Sequence, residues 1–476
     1  MPHPIFEIDE LLRLVIDELV EASPRTTVSF ALTCRSLEEP VLSSLWKERQ
    51  HSLTVLLIVL RDLTWVSNNN GLNIAVGGCS FSTDRILYRF HQTIERNPSA
   101  EAWARFRRYA SWMRKLCLNS YANNTSDIFS QLSHNSPGGI LCPKLDHLSW
   151  DIPGIYIVSG YLRLFFSPSL KRVDLHGDLP PCYLPLEPLV QTISFLPTSL
   201  ESLSFPCDWG KEEPLRDALS SFICRCGPSL RTFHVRTQLS EAAIHHLMRL
   251  PNLRHWSIHQ GPPRTVPTSI FPSLERLCIE DPAAPVWLHL LTSPKNGTAQ
   301  DGFTTATSHA GITKTLKSLK CPSSTTIDST LVSSIIKFQN LVTLEVQLNC
   351  FRAGTCIFHL TDDDMENLAI ALPRLESLRL GQPCNFHTCK TTVAALMSIS
   401  VHCLDLTVLE IHFSTLEIVR DLQRVLDRGA GRDDAKCRVS DLPVGGLSFE
   451  VQKNIETVVM GFRFIFPCLR RSTLHR

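Results

Sequence analysis

Two cysteines and a histidine fall within six residues at Cys384-Asn-Phe-His387-Thr-Cys389, and Cys224-Arg-Cys226 sets two thiols one residue apart. Thiolate and imidazole are zinc ligands, so both clusters raise a metal reading. A structural zinc site pairs two half-sites of Cys-x-x-Cys type, and neither cluster has that spacing or a second half at a typical distance. Other chemistry-bearing patterns read more simply. His245-His246 lies in a segment of helical periodicity and reads as a solvated or partly packed pair. Asp362-Asp363-Asp364 follows Thr361, where a helix start favours acids, ahead of a calcium site. No glycine-rich phosphate loop follows a strand, and neither G-x-S-x-G nor H-E-x-x-H occurs. The chain is expected to be non-catalytic, with no cofactor and no bound metal.

Charge and hydropathy narrow the partners. Across 476 residues, 47 Lys plus Arg meet 46 Asp plus Glu, a net charge of +1. That balance supplies no global field for nucleic acid or anionic membrane. The densest cationic cluster, Arg105, Arg107 and Arg108, is interleaved with Trp103, Phe106 and Tyr109 and reads as the polar side of a helix. The N-terminus MPHPIFEIDELL carries acids where a secretory signal needs a basic start. The longest apolar stretch, Leu53 to Leu60, is far short of the roughly 20 residues that span a bilayer. These features predict a cytoplasmic or nuclear protein whose 17 cysteines are mostly free thiols packed as small apolar groups.

The elements that would position any site follow from an internal repeat. The pattern L-x-x-L-x-L, with apolar substitutes, begins at Met113, Leu145, Leu170, Leu200, Leu230, Leu253, Leu274, Leu316, Leu341, Leu375 and Leu406. The mean interval is about 29 residues, at the long end of leucine-rich repeats. Every pattern position holds an apolar residue or Cys. Because strand side chains alternate between faces, the residues before, between and after the last two pattern positions face the opposite side, and Val408 is the one large aliphatic there. Pro143, Pro168, Pro197, Pro228, Pro251, Pro272 and Pro373 stand two or three residues before the pattern and mark the turn from helix into strand. Ser240-Glu241 and Thr361-Asp362 are helix starts. Strand, loop and helix therefore alternate. The predicted fold class is α/β, a leucine-rich-repeat solenoid over 113–470 with a parallel sheet on the concave face, helices on the convex face and a C-terminal cap. Residues 292–313, rich in Gly, Ser and Thr, read as a surface loop insertion.

The concave sites form the candidate client-binding face: His147, Arg172, Asp174, His176, His234, Arg236, His255, His259, Arg276, Glu280, Lys320, Glu345, Arg379, Glu410 and His412. Six of the chain's eighteen His fall on this face, and with Lys115 and Asp151 of the same alternation it carries six cations and five acids. Protonation near the ordinary imidazole pKa of about 6.5 would turn that mixed field positive. A central patch of His234, Arg236, His255, His259 and Arg276 is therefore expected to hold a polar or acidic segment of a partner, more tightly as pH falls.

Before the repeats, residues 51–112 read as a helical connecting segment and residues 1–50 as a separate helical module. Ile8, Leu11, Leu12, Val15, Ile16, Leu19 and Val20 follow helical spacing, Ser23-Pro24 opens a second helix, and Leu37, Val41, Leu42, Leu45 and Trp46 lie on a third. Three helices in about forty residues make a marginal core. This module resembles an F-box, in the form that opens many leucine-rich-repeat proteins of fungi. The matching segments are Glu10 to Val15, ALTCRSL at Ala31 to Leu37, Glu39 to Leu42, and Leu45-Trp46, and the helix at 101–112 is also similar. The resemblance implies that the module binds a Skp-type adaptor joined to a cullin scaffold, while the repeats hold a client protein for ubiquitin transfer. By position the adaptor-facing residues would be Ile8, Asp9, Leu11, Leu12, Val15, Cys34, Leu37, Leu42 and Trp46. F-boxes usually open with Leu-Pro where this sequence has Ile8-Asp9. The alternative implied by that departure is a protein-binding scaffold whose degenerate F-box recruits no ligase.

Overall fold

The computed structural model describes residues 9–48, 50–52, 56, 99–119, 129–130, 132–134, 139–151, 159–176, 186–205, 213–263, 270–280, 284–292, 310–322, 327–347, 358–381, 390–411, 418–428, 437–440, 442 and 455–469. The chain divides into two compact units, Met1–Leu230 and Arg231–Arg476. In the first unit α1 (Asp9–Ala22), α2 (Pro24–Ala31) and α3 (Arg35–Glu48) precede β1 (Gln50–Ser52), α4 (Ala100–Trp112), β2 (Lys115–Asn119), β3 (His147–Asp151), a 3-10 helix (Ser159–Phe165), β4 (Arg172–His176), α5 (Leu186–Ser194), β5 (Ser202–Phe205) and α6 (Glu213–Arg225). Strands β1 to β5 pair in sequence, each parallel to the next.

The second unit continues the strand and helix alternation. It runs β6 (Thr232–Val235), α7 (Glu241–Arg249), β7 (His255–Ile258), β8 (Arg276–Ile279), α8 (Ala284–Thr292), α9 (Ala310–Thr315), β9 (Ser318–Pro322), α10 (Ser329–Ile335), β10 (Thr343–Gln347), α11 (Asp362–Ala371), β11 (Ser377–Leu380), α12 (Val393–His402), β12 (Val408–Ile411), α13 (Ile418–Arg428) and α14 (Ile455–Ile465). Strands β6 to β12 are again parallel, each paired with its successor. This is a leucine-rich-repeat fold, because each strand begins at the third residue of an L-x-x-L-x-L copy.

Burial follows the period-2 alternation without exception: all three pattern residues of all eleven copies are buried, from Met113, Leu116 and Leu118 to Leu406, Leu409 and Ile411. Burying each such side chain is worth roughly 1.5–3 kcal/mol, so these positions carry most of the core. Cys321, at a pattern position, is fully buried, and burial raises its thiol pKa. The first pattern residue also closes a turn. The amides of Leu170, Leu341 and Leu375 donate to the carbonyls of Ser167, Phe338 and Leu372, three residues earlier, at 3.1, 3.0 and 3.3 Å. Pro168 and Pro373 sit inside the first and last of these turns, where their missing N–H costs no hydrogen bond.

One carbonyl per repeat ties each unit together. The Arg254 carbonyl accepts the amides of both Glu275 and Arg276 at 2.8 Å, and the Glu275 carbonyl accepts those of Lys317 and Ser318 at 2.8 and 2.9 Å. The Asp146 and Lys171 carbonyls do the same in the first unit, and the Val342 and Glu376 carbonyls further along the second. Ser440 N–H donates to Thr407 O at 3.1 Å, which carries the ladder one step beyond β12, and the Cys437 thiol donates to Cys403 O at 3.2 Å. Of the segment after Ser440 that the expected C-terminal cap includes, residues 441 and 443–454 lie outside the described residues, and α14 follows.

Caps define the helix starts. The Thr361 hydroxyl accepts the Asp364 amide at 3.3 Å while the Asp364 carboxylate accepts the Thr361 amide at 2.9 Å, a reciprocal capping box. Asp362 of the same acidic run accepts both the amide and the hydroxyl of Thr392 at 2.7 Å, linking the starts of α11 and α12. The Ser240 hydroxyl accepts the Ala243 amide at 3.3 Å, and Ser23 precedes Pro24 at the head of α2.

Two boundaries differ from the sequence expectation. The connecting segment opens with strand β1, which pairs Gln50, His51 and Ser52 with Lys115, Leu116 and Cys117. It carries no apolar alternation, and backbone pairing to β2 is what makes it a strand. The expected 292–313 loop is shorter at both ends: Thr292 closes α8 and residues from 310 form α9, while 293–309 lie outside the described residues.

Helices α13 and α14 cross closely at Gly461. A Cβ there would lie 2.8 Å from Leu422 Cβ and 2.9 Å from its Cδ2. Gly461→Ala is expected to cost about 1–3 kcal/mol through that overlap. Chemical denaturation checks the loss, and Leu422→Gly in the same chain, which removes every overlapping atom, should reduce the cost of the Gly461 substitution if the overlap causes it.

Candidate binding face

Parallel in-register pairing stacks equivalent residues of successive repeats about 4.8 Å apart on the face opposite the leucines. In the first unit the register aligns His147 with Arg172 and Ser149 with Asp174. Asp174 is buried, and its Oδ2 accepts His147 Nε2 at 2.9 Å and Arg172 Nε at 2.7 Å. Burial alone would raise the Asp174 pKa, but these two donors outweigh it and hold the carboxyl below its ordinary value. His176 is exposed at the end of β4.

The second unit has a larger hub. Glu280, just beyond β8, has a side chain only 11% exposed. Its Oε2 accepts Arg236 Nε at 2.6 Å and lies 3.8 Å from His259 Nδ1. Its Oε1 accepts the Ser257 hydroxyl at 3.2 Å and lies 3.3 Å from His234 Nε2. Desolvation pushes this carboxyl up, but His234 and the charge of Arg236 outweigh it and draw the pKa down to about 2. Beside the hub, buried Gln260 clamps the chain after β6: it accepts the Leu239 amide, and its Nε2 donates to Leu239 O at 3.3 Å. The Trp287 indole donates to Gln260 O at 2.8 Å, with Trp256 and Trp287 edge to face at 5.5 Å.

Further along, the register aligns Cys278, Lys320, Glu345, Arg379 and Glu410 in one row. Lys320 Nζ meets Glu345 at 2.6 Å and Arg379 Nε lies 3.9 Å from Glu410. The charges in this row alternate, so most of the face's cations already have a neighbouring acid.

The expected positive centre is corrected accordingly. Three of its five residues, His234, Arg236 and His259, surround Glu280, so the centre is charge-balanced and held in place. His255 is harder to protonate than a free imidazole, because burial lowers its pKa and the Arg276 charge lowers it further. Its Nδ1 lies 3.4 Å from the Thr232 hydroxyl. Arg276 is exposed and has no acid at ion-pair distance among the described residues. His412 lies outside the described residues, as do Cys384, His387 and Cys389. Cys226 is buried, with its thiol pushed up to about 12 by desolvation, while Cys224 is exposed, so this pair does not converge. His245 and His246 are half-buried on α7.

In the N-terminal module Leu12, Ile16, Val20, Ala31, Leu37, Val41 and Leu45 form one apolar cluster, with Val28, Phe30, Cys34 and Leu42 packed against it. Trp46, assigned by resemblance to an adaptor face, turns inward: it is buried, with its ring 5.1 Å from Tyr109 of α4. Arg108 on α4 lies 3.7 Å from Glu39. Of the residues expected to face an adaptor, Leu11 and Val15 are exposed. Leu14 and Leu32, not singled out in the sequence, are more exposed, at 64% and 78%. Helical phase around Leu12 and Ile16 is the signal that places Leu14 outside. Ile8 and the side chain of Asp9 lie outside the described residues.

No family model matches the sequence, and no curated protein matches it. Among solved structures the chain is similar to an internalin from Listeria monocytogenes, at 15% identity and a TM-score of 0.28, over 66% of this chain. The chain covers 65% of that internalin's length. Among the described residues, no helix is long and apolar enough to cross a membrane.

The Glu280 hub links stability to pH. A carboxyl drawn from an ordinary 4.5 to about 2 on folding contributes stability above the unfolded value, lost as pH falls through the folded one. The drop corresponds to about 3 kcal/mol. Glu280→Gln should therefore be less stable at neutral pH, and the gap to the parent should narrow between about pH 4.5 and pH 2. Urea denaturation of both proteins across that range measures it; a gap independent of pH would contradict the assignment.

Proposed function

We propose that this protein is a non-catalytic receptor in which an N-terminal F-box-like module docks a Skp-type adaptor, and through it a cullin scaffold, while the open face of the repeat sheet holds a client protein for ubiquitin transfer. The observation that carries the adaptor half is the division of the module's apolar residues. One set fills the helical core, and a second, Leu11, Leu14, Val15 and Leu32, faces outward. Apolar side chains left exposed on a small helical module are the usual mark of a protein contact. The client half is supported by the open sheet face, where polar and charged side chains of successive repeats pair with one another. The receptor acts by proximity, raising the local concentration of client beside a partner enzyme that supplies the chemistry.

Ile8-Asp9, in place of the usual Leu-Pro, favours a second reading, a protein-binding scaffold that engages no ligase. Capture of a purified Skp-type adaptor by the full chain separates the two. The intact protein should retain the adaptor, and Leu14→Asp with Val15→Asp should abolish retention while the circular dichroism spectrum stays unchanged, since both side chains are exposed. No capture by the intact chain selects the scaffold. Trp46→Ala should instead destabilise the module by about 3–5 kcal/mol, as expected for a buried aromatic, and thermal unfolding reads that loss.

A further inference from the structure

The alternation of charge across the open face of the second unit fails at one edge. Along the N-terminal ends of β6 to β9, Arg231, Arg254, Glu275 and Lys317 are successive register neighbours, joined where Arg254 N–H donates to Arg231 O, Glu275 N–H to Arg254 O and Lys317 N–H to Glu275 O, each at 2.8 Å. Glu275 lies between two cations, 3.8 Å from Arg254 Nη1 and 3.7 Å from Lys317 Nζ, and neutralises one of them at most. Immediately inside this row Arg276 stands beside His255 in register. Arg231, Arg254, Arg276 and Lys317 are all exposed. Among the described residues, Arg254, Arg276 and Lys317 thus have one acid between them at ion-pair distance, Glu275, within two strand spacings, about 10 Å, in a chain whose total charge is nearly zero. The same charges act on His255: after burial, Arg276 and Arg254 both depress its pKa against Glu275, as a locally positive field requires.

We infer that this edge is the anchoring point for an acidic segment of the client protein, laid in extended form across the starts of β7 to β9. The inference deepens the client half of the proposed function and rests on it. An extended chain advances about 3.3 Å per residue, so three or four residues span the row, and a run of Asp or Glu supplies the complement of its excess charge. The Glu280 hub contributes no anchoring charge, because its own carboxylate already satisfies Arg236. Exposure of the cations means that the contact steers and orients the client and weakens with salt.

The test uses the full chain and fluorescent decaglutamate, followed by anisotropy at low and at high salt. The intact protein should bind decaglutamate and release it as salt rises. Arg254→Glu with Arg276→Glu should weaken binding by about tenfold or more, whereas Arg424→Glu on α13, an equally exposed cation, should leave it unchanged. If the double reversal perturbs folding, Arg276→Gln with Lys317→Gln removes two charges from exposed side chains and should still weaken binding measurably. Absence of decaglutamate binding, an equal loss in Arg424→Glu, or equally tight binding of a single-stranded oligonucleotide would each overturn the inference, the last by marking a generic polyanion surface. Adaptor capture without decaglutamate binding would remove this inference and leave the adaptor half standing.

Discussion

The structure depends on one backbone arrangement: among the described residues, a carbonyl at the entry to nine of the twelve strands accepts two successive amides from the next repeat. This three-centre bond fixes the register at the residue where each strand begins. With the register fixed and strand side chains alternating by two, every later side chain in the repeat has a determined face and a determined neighbour. A slip of one residue would turn a row of buried leucines into the open face and the polar row into the core. The burial of every pattern residue, including Met113, Cys321 and Trp256, shows that the register holds along each unit.

The same constraint governs the electrostatics. In-register stacking places equivalent side chains of adjacent repeats about 4.8 Å apart, and like charges at that distance repel unless an opposite charge intervenes. The row from Lys320 to Glu410 meets this by alternating sign. Asp174 and Glu280 meet it differently, each withdrawn from water and surrounded by donors from its own and neighbouring repeats. A buried carboxylate is stable only with such donors, and both carboxyls are held below their ordinary pKa values despite their burial. Histidine concentrates on this face in part because imidazole supplies donors to those acids.

The N-terminal module illustrates a different limit. A short three-helix bundle buries little apolar area by itself, and here it extends its packing to α4 through Trp46 on Tyr109 and the exposed pair of Glu39 with Arg108. Using Trp46 in this way ties the module to α4, while Leu11, Leu14, Val15 and Leu32 stay exposed.

What was legible in the sequence was local. Alternation within a hexamer, a proline two or three residues before it, and Thr361 ahead of three acids each report on a few consecutive residues, and the strands, turns and capping box follow from them. The mixed charge and the histidine enrichment of the open face were also visible. What the sequence concealed was pairing. Arg236 and Glu280 are 44 residues apart, and their hydrogen bond exists only because intervening repeats of unequal length return the chain to the same register. The inward turn of Trp46, the contact between Gly461 and Leu422, and the recruitment of Gln50 to Ser52 into the sheet likewise depend on elements distant in sequence. Side-chain period is a property of one strand and can be read from it, whereas the neighbour of each side chain is a property of two repeats, decided when the tertiary fold sets one against the next.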